Sequence, residues 1–341
     1  MNLPLRIQHE RTAERVISVD GAWGQPGLNL SHWPGNTTPA ELRHDLSTGA
    51  ALAFARLPLK KRDELAEGCV AIANNHYDTD GACAVFAVRH PELALARESF
   101  LLDVAATGDF FRLPSERALI VELIVENLAD AERSPWSLQF AGSTDRERTE
   151  IALCELIPRM PAILDGDVEP YADLWKPELE DARADLAMRA RAARDEVSHL
   201  DLCIWTAPQD TTFDPGRHAV FGSTRADRVL LIGPRAEGAS YRFLLSTLSW
   251  FDLVSRRTQP RPDLGELARR LNELEGSAPS ADQAWRAQDV RSPSPELWFG
   301  SEDHALFAER APALTPSRLP PSTVRRAIAD ALRASWEFPE G

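Results

Sequence analysis

The chain has 341 residues, a formal net charge of −14, 43% hydrophobic residues and 26% charged residues. These fractions are those of a soluble globular protein, and the length is enough for two domains of ordinary size. The strong negative charge excludes a general nucleic-acid-binding protein, since phosphate contacts need clustered Lys and Arg.

Strand and helix patterns alternate in the first half of the chain. Strands are predicted over residues 15–20, 28–30 and 69–73, and helices over 39–57, from residue 81 and over 92–106. Helical spacing then dominates residues 115–196. Alternation of this kind is typical of a parallel sheet with helices on both faces.

The pattern changes after residue 198. Four apolar runs separated by Asp, Gly and Pro predict an antiparallel meander, followed by helices over 263–274 and 322–335; the runs are HLDLCIWTA, HAVFG, RVLLIGP and SYRFLLSTLSWFDLV. The predicted fold class is α/β, with a parallel-sheet N-terminal domain and a smaller mixed or antiparallel-sheet C-terminal domain. We expect a metal-binding α/β domain over 1–198 and an α+β substrate-binding domain over 199–341.

The cellular compartment is predicted from what the sequence lacks. The beginning of the chain has no apolar core of a signal peptide, and no run approaches the ~18 apolar residues of a membrane span. The four cysteines are widely spaced in apolar runs without a CxxC pair, which predicts buried, reduced thiols; they are Cys69, Cys83, Cys154 and Cys203. We expect a cytoplasmic, bacterial protein that does not contact membranes.

The stretch NNHYDTDG is the strongest candidate for a site. It follows the predicted strand over 69–73 and brings His76, Asp78 and Asp80 together just before a helix that starts at Gly81. Polar residues at the carboxyl end of a parallel strand lie where α/β enzymes bind ligands. Mixed His and Asp ligation suits Mn²⁺, and less exclusively Mg²⁺, Fe²⁺ or Zn²⁺. In the alternative interpretation, the two aspartates only cap the helix and the histidine packs.

The pattern His76-x-Asp78-x-Asp80-Gly81 after a strand resembles the first motif of the DHH phosphoesterase superfamily. The resemblance implies that these three side chains help to bind a pair of manganese ions and that the protein hydrolyses phosphodiesters or phosphoanhydrides. The segment AATGDF resembles the family's later ligand segment, which makes Asp109 a further candidate ligand. The alternative for Asp109 is a polar residue after a helix-terminating glycine. The chain contains no Asp-His-His triplet, which is the motif that names the family.

A second polar cluster, SHWPGNTTPAELRHDLSTG, follows another predicted strand. His32 stands at the strand end, and His44 and Asp45 are expected inside the next helix. We predict that these three residues act as acid and base or complete the metal site in place of the missing triplet. The amides of the turn at Asn36 are predicted to approach an anion. A turn followed by a capped helix with partly exposed polar residues is the alternative.

Arginines surround the aromatic run near residue 250, where they are predicted to hold a phosphate or carboxylate. Pairing with surface acids is the alternative. The residues assigned to substrate binding are Asn36, Asn75, Arg242, Arg256, Arg257 and Arg261.

The segments SHWPGN, RHDLSTG and NNHYDTDG together resemble an uncharacterised bacterial family, a domain of unknown function. The leading functional hypothesis is a metal-dependent hydrolase of a phosphorylated small molecule or short oligonucleotide. Two alternatives stay open: a non-phosphoesterase enzyme of bacterial specialised metabolism on the same scaffold, and a non-catalytic binding protein without the full metal site. A small anionic substrate is the expected partner, and assembly into a homodimer is left open.

Overall fold

The computed structural model describes residues 2–276, 280, 282–301 and 314–336. The chain divides into two compact units, Met1–Glu180 with Phe251–Arg257, and Asp181–Trp250 with Thr258–Gly341. The assignment of a metal-binding and a substrate-binding domain on either side of residue 198 stays a prediction. No helix within the described ranges is both long and apolar enough to cross a membrane.

The first unit contains a four-stranded parallel sheet and most of the helices. The sheet order is β1-β4-β2-β3. The strands are β1 Leu5–Ile7, β2 Val16–Val19, β3 Gly27–Leu30 and β4 Ile72–Asn74. The helices are α1 Ser47–Arg56, α2 Leu59–Leu65, α3 Thr79–Arg89, α4 Pro91–Leu95, α5 Glu98–Phe110, α6 Glu116–Asn127, α7 Asp145–Leu156, α8 Met160–Asp165 and α9 Ala172–Ala190, the last of which continues into the second unit.

Helix α3 is the centre of the first unit. Its residues from Thr79 to Val88 are all buried, and it packs against α1 and α5. A helix that is apolar around its whole circumference is stable only inside a protein core. Because α3 starts directly after the carboxyl end of β4, this packing fixes the polar turn between strand and helix.

The second unit contains a six-stranded mixed sheet in the order β5-β6-β7-β8-β10-β9. Only the β6–β7 pair is parallel. Helices α11 and α12 contribute to the same apolar core as the sheet. The elements are β5 Ala193–Val197, β6 Leu202–Thr206, α10 Arg217–Phe221, β7 Arg228–Arg235, β8 Gly238–Leu245, α11 Leu264–Glu275, β9 Ala284–Ala287, β10 Glu296–Gly300 and α12 Pro321–Ala334.

The predicted α/β fold class is confirmed, but several local predictions are wrong. The helix predicted over 92–106 is divided into α4 and α5, and the predicted antiparallel meander contains the parallel pair β6–β7. HAVFG forms α10 rather than a strand, because β6 and β7 are parallel and their connection must return along the sheet. The helix expected over 39–57 is a short 3₁₀ turn followed by α1, which begins only at Ser47. Of the cysteines expected to be buried, Cys83 and Cys203 are buried, whereas Cys154 is exposed and Cys69 is half-buried.

Candidate metal centre

Polar side chains from the carboxyl ends of three neighbouring parallel strands meet at one edge of the first sheet. Within the described residues, two groups of His and Asp side chains could hold a metal ion, and the ligand atoms of each group lie within 4.8 Å of one another. The buried group consists of Asp20, His32, Asp80 and Asp109, and the outer group consists of Asp20, His76 and Asp78.

The carboxylate of Asp20 belongs to both groups and directs one oxygen toward each. Its Oδ1 lies 3.6 Å from His32 Nε2, and its Oδ2 lies 2.9 Å from His76 Nε2. The side chain is completely buried. Its two oxygens therefore offer a candidate ligand atom to each group.

The buried group is organised around the imidazole of His32. Its Nε2 atom lies 2.9 Å from Asp109 Oδ2 and 3.6 Å from Asp80 Oδ2. The side chains of His32 and Asp80 are fully buried, and that of Asp109 is 8% exposed. Three carboxylates and one imidazole are therefore held together, with only Asp109 in slight contact with solvent.

The outer group is more accessible. His76 Nε2 lies 3.0 Å from Asp78 Oδ2, and the two side chains are 31% and 28% exposed. The other ring nitrogen of His76 contacts Asn75 Oδ1 at 2.7 Å. Asp78 also caps α3, since its Oδ1 accepts a hydrogen bond from the Gly81 amide at 2.8 Å. Asp78 therefore caps the helix with one oxygen and faces His76 with the other, so the two interpretations of this residue do not exclude each other.

Asp20 is the member of the cluster that the sequence prediction missed. It follows β2 directly, in a left-handed conformation with φ of 61°, which is uncommon for residues other than glycine. Ser47 Oγ and Trp33 Nε1 donate hydrogen bonds to its Oδ1 at 2.9 and 3.2 Å. The available signal was its position: it ends a predicted strand, as His32 does.

Asp80 is fixed by the beginning of α1. Its two carboxylate oxygens accept hydrogen bonds from the amides of Ser47 at 2.7 Å and Thr48 at 2.9 Å. These amides lack partners inside the helix, and the positive end of the helix dipole favours a carboxylate there. This contact explains why α1 begins at Ser47, and it leaves His44 and Asp45 in the loop before the helix.

Asp109 reaches the cluster because α5 passes very close to α3. A Cβ atom on Gly108 would lie 2.9 Å from Cβ of Thr79, closer than two carbon atoms can pack. Glycine at this position therefore permits the approach that places Asp109 beside Asp80. Asp109 lies in the last turn of α5, which ends at Phe110, rather than after the helix.

Burial and the cluster's own charges set its pKa values. Burial raises the pKa of Asp80 to about 6 and raises the pKa of Asp109 well above its ordinary value. Burial alone would lower the pKa of His32 and His76, but the nearby carboxylates outweigh it and raise both pKa values well above the ordinary one. Burial also opposes ionisation of Asp20, yet the two imidazoles hold its pKa below the ordinary value.

The residues present fit a divalent cation. Asp20 Oδ2 and His32 Nε2 are buried, and among the described residues each makes a close contact of 2.9 Å with another member of the cluster, His76 Nε2 and Asp109 Oδ2 respectively, but neither contact has the orientation of a hydrogen bond. Unsatisfied buried polar atoms are costly, and a bound cation is one of the ways in which proteins satisfy them. Imidazole nitrogen combined with carboxylate oxygen is a ligand set that Mn²⁺ accepts.

The remaining polar residues of the second predicted cluster lie outside both ligand groups. His44 accepts a hydrogen bond from the Leu46 amide at 3.1 Å and packs over Gly49, where a Cβ would lie 1.9 Å from its Nδ1. Asn36 donates hydrogen bonds to the Trp33 carbonyl at 2.9 Å and to Asp252 Oδ2 at 3.3 Å. The catalytic role of His44 and the anion-binding role of Asn36 stay predictions.

Asp45 supports His32 instead of facing the cluster. Its backbone carbonyl contacts His32 Nδ1 at 2.5 Å. Its carboxylate accepts hydrogen bonds from the amides of Val254 at 2.7 Å and Ser255 at 2.9 Å. Although burial opposes it, hydrogen bonding from Ser255 and Val254 keeps the pKa of Asp45 below its ordinary value. These contacts place Asp45 beside His32 but outside both ligand groups.

The four predicted substrate-binding arginines fall into two pairs. Arg242 and Arg261 belong to the second unit: Arg242 is fully buried against Glu296 and Asp214, and Arg261 donates to loop carbonyls. This geometry is that of structural arginines and does not support substrate contact. Arg256 and Arg257 instead lie in the chain segment that returns to the first unit, and their predicted role stays open.

A protein-family model matches residues 4–340, and its description is a family of unknown function, DUF6687. The match covers nearly the whole chain, which confirms the predicted membership in a domain-of-unknown-function family. The comparisons give no support to the resemblance to DHH phosphoesterases. No curated protein and no solved structure matches the chain.

Proposed function

Because the chain belongs to the DUF6687 family, whose description assigns no activity, we propose its function from the geometry of the cluster. The proposed activity is metal-dependent hydrolysis of a phosphorylated small molecule or short oligonucleotide, with Mn²⁺ as the preferred cation. The observation that supports it is the division of the Asp20 carboxylate between two ligand groups.

Two adjacent cation sites with a shared carboxylate are typical of enzymes that cleave phosphate esters. The buried group would hold one cation through His32, Asp80 and Asp109, and the outer group would hold the other through His76 and Asp78. When bound, such cations polarise a phosphoryl oxygen and lower the pKa of a water molecule. In this proposal Asp20 and His32 provide ligands that the motif around residue 76 lacks by itself.

The exposure of the cluster residues differs, and this difference indicates which of them exclude solvent and which of them face an entering substrate. The fully buried His32 and Asp80 keep the inner part of the cluster free of solvent, which strengthens electrostatic interactions there. The partly exposed His76 and Asp78 mark the side from which a substrate would enter. Arg256 and Arg257 are the two predicted anion-binding arginines that belong to the same unit as the cluster, so we assign the substrate phosphate to them.

Metal content and hydrolysis of bis(p-nitrophenyl) phosphate with added Mn²⁺ test this proposal. We expect two equivalents of Mn²⁺ per chain, and we expect Asp78→Asn to lose most of the hydrolysis. Asn is as good a helix cap as Asp, so the fold should be retained. The matched control is Asp263→Asn, which changes the cap of α11 in the second unit.

Undiminished hydrolysis in Asp78→Asn and in Asp80→Ala would contradict the assignment. A protein that binds Mn²⁺ stoichiometrically but hydrolyses no phosphodiester, phosphomonoester or phosphoanhydride would favour the two alternatives, an enzyme of another class or a binding protein.

A further inference from the structure

The imidazole of His32 is held from several sides by groups that are not in either ligand group. The Asp45 carbonyl contacts Nδ1 at 2.5 Å, which leaves Nε2 as the ring atom that faces the carboxylates. The ring of Phe251 stacks on the imidazole with a centroid distance of 3.8 Å and an angle of 17°. The amide of Asp252 donates a hydrogen bond to the His32 carbonyl at 2.8 Å.

Two of these contacts come from residues 251–257, which we call the return segment because it rejoins the first unit after the long excursion through the second. Phe251 and Leu253 are buried at its beginning, and the exposed part that follows is attached to Asp45, whose carboxylate accepts two of its amide hydrogens. Val254 is 56% exposed and Ser255 is also exposed, so burial does little to hold this part of the segment. Its further polar attachments include the hydrogen bond from the Asp252 amide to the His32 carbonyl and a longer one from Asn36 to the Asp252 carboxylate.

We propose that Asp45 is a positioning residue for His32: by anchoring the return segment against the imidazole, its carboxylate sets how tightly the buried group binds a divalent cation. This inference rests on the metal site of the proposed function and adds a residue that belongs to neither ligand group. Partners that orient a metal-binding histidine commonly change metal affinity about 10–100-fold when they are removed.

The test is the affinity for Mn²⁺ alone, measured by isothermal titration calorimetry on the full chain. The variants are made in a His76→Ala background. This substitution removes a ligand of the outer group and keeps every ligand of the buried group, so the binding that is measured is that of the buried group. In that background we expect Asp45→Ala to weaken Mn²⁺ binding at the low end of that range, about 10-fold, because the backbone carbonyl that contacts Nδ1 is kept and only the anchor of the return segment is lost. Asp45→Asn should restore most of the affinity, because its amide oxygen still accepts a hydrogen bond from the return segment.

Asp130→Ala is the matched control. The Asp130 carboxylate also accepts two backbone amide hydrogens, from Glu132 and Arg133 at 2.8 Å each, and it is half-buried in the same unit. We expect this variant to bind Mn²⁺ as the His76→Ala parent does. Phe251→Leu provides a second measurement should Asp45→Ala fail to fold, since it removes the stacked ring and keeps an apolar side chain; it should weaken binding in the same direction.

The outcomes separate this inference from the proposed function. If neither the wild-type chain nor the His76→Ala parent binds Mn²⁺, the proposed metal site is refuted. If the parent binds Mn²⁺ and Asp45→Ala binds it as tightly as Asp130→Ala does, only the positioning role is overturned. A failure of Asp45→Asn to recover affinity would also overturn it, because the effect would then not depend on the acceptor oxygen.

Discussion

Substitution of Asp20 should remove both cation sites at once, whereas other single substitutions should remove one. In Asp20→Asn the side-chain oxygen can still accept the hydrogen bonds of Ser47 and Trp33, while an amide group replaces the oxygen that faces His76. Asn also tolerates the left-handed backbone of this position, where φ is 61°. The variant should therefore fold. It loses the ligand oxygen of the outer group and keeps only an uncharged amide oxygen towards the buried group, so the loss of the shared negative charge should weaken cation binding at both groups.

The magnitude follows from the linkage between binding and stability. At a free Mn²⁺ concentration of 100 times Kd, each occupied site stabilises the folded state by about 2.7 kcal/mol. The first unit falls in the range of about 150–250 residues, where each kcal/mol raises Tm by about 2–4 °C. Mn²⁺ should thus raise the Tm of the wild-type first unit by about 10–20 °C, that of His76→Ala by about half as much, and that of Asp20→Asn by little.

Differential scanning calorimetry with and without Mn²⁺, together with metal analysis after gel filtration, checks this prediction. The control is Asp210→Asn, the same substitution at another aspartate in the left-handed conformation, with φ of 58°, in the second unit. An Asp20→Asn protein that still carries two Mn²⁺ and shows the wild-type shift in Tm would refute the idea of a shared ligand.

Three further predictions concern charge. Proton release should accompany Mn²⁺ binding at pH 7, because His32 and His76 have raised pKa values and must be neutral to bind a metal. Titration calorimetry in buffers of different ionisation enthalpy measures this release. Binding heats that do not depend on the buffer would contradict the prediction. Glu296→Gln should destabilise the second unit by about 3–5 kcal/mol in denaturant unfolding, since it removes the buried carboxylate charge that Arg217 and Arg242 share. The affinity for Mn²⁺ should not change. Arg256→Ala and Arg257→Ala should raise KM for phosphodiester hydrolysis without changing the Mn²⁺ content; an unchanged KM in both would exclude them from substrate binding.

Residues that directly follow a strand were the ones that sequence reasoning could locate. Parallel strands end at one edge of their sheet, so His32 after β3 and the acids after β4 were expected to meet there. Asp20 was not predicted as a site residue although it also follows a strand, because a lone aspartate after a strand is more commonly a turn residue. Its contacts with His32 and His76 distinguish it from such a turn residue, and both histidines are distant from it in sequence.

Contacts between distant parts of the chain account for the incorrect predictions. The start of α1 is set by Asp80, which lies 33 residues after Ser47 in sequence, and no local pattern in the helix contains that information. For Arg242, the alternative of pairing with an acid involves Glu296 of β10, which lies 54 residues later in sequence and is equally invisible to a local pattern. The return of residues 251–257 to the first unit likewise has no composition signal of its own.

The return segment has a consequence for how this protein can be divided and inherited. A fragment ending at residue 180 would contain every candidate ligand, yet it would lack the aromatic ring and the amides that brace one of the histidines. Recombination that exchanges the second half of the gene would carry that brace away with it. The two halves are therefore expected to be inherited as one gene. Cutting the chain after residue 180 should yield a first fragment whose affinity for cations is impaired.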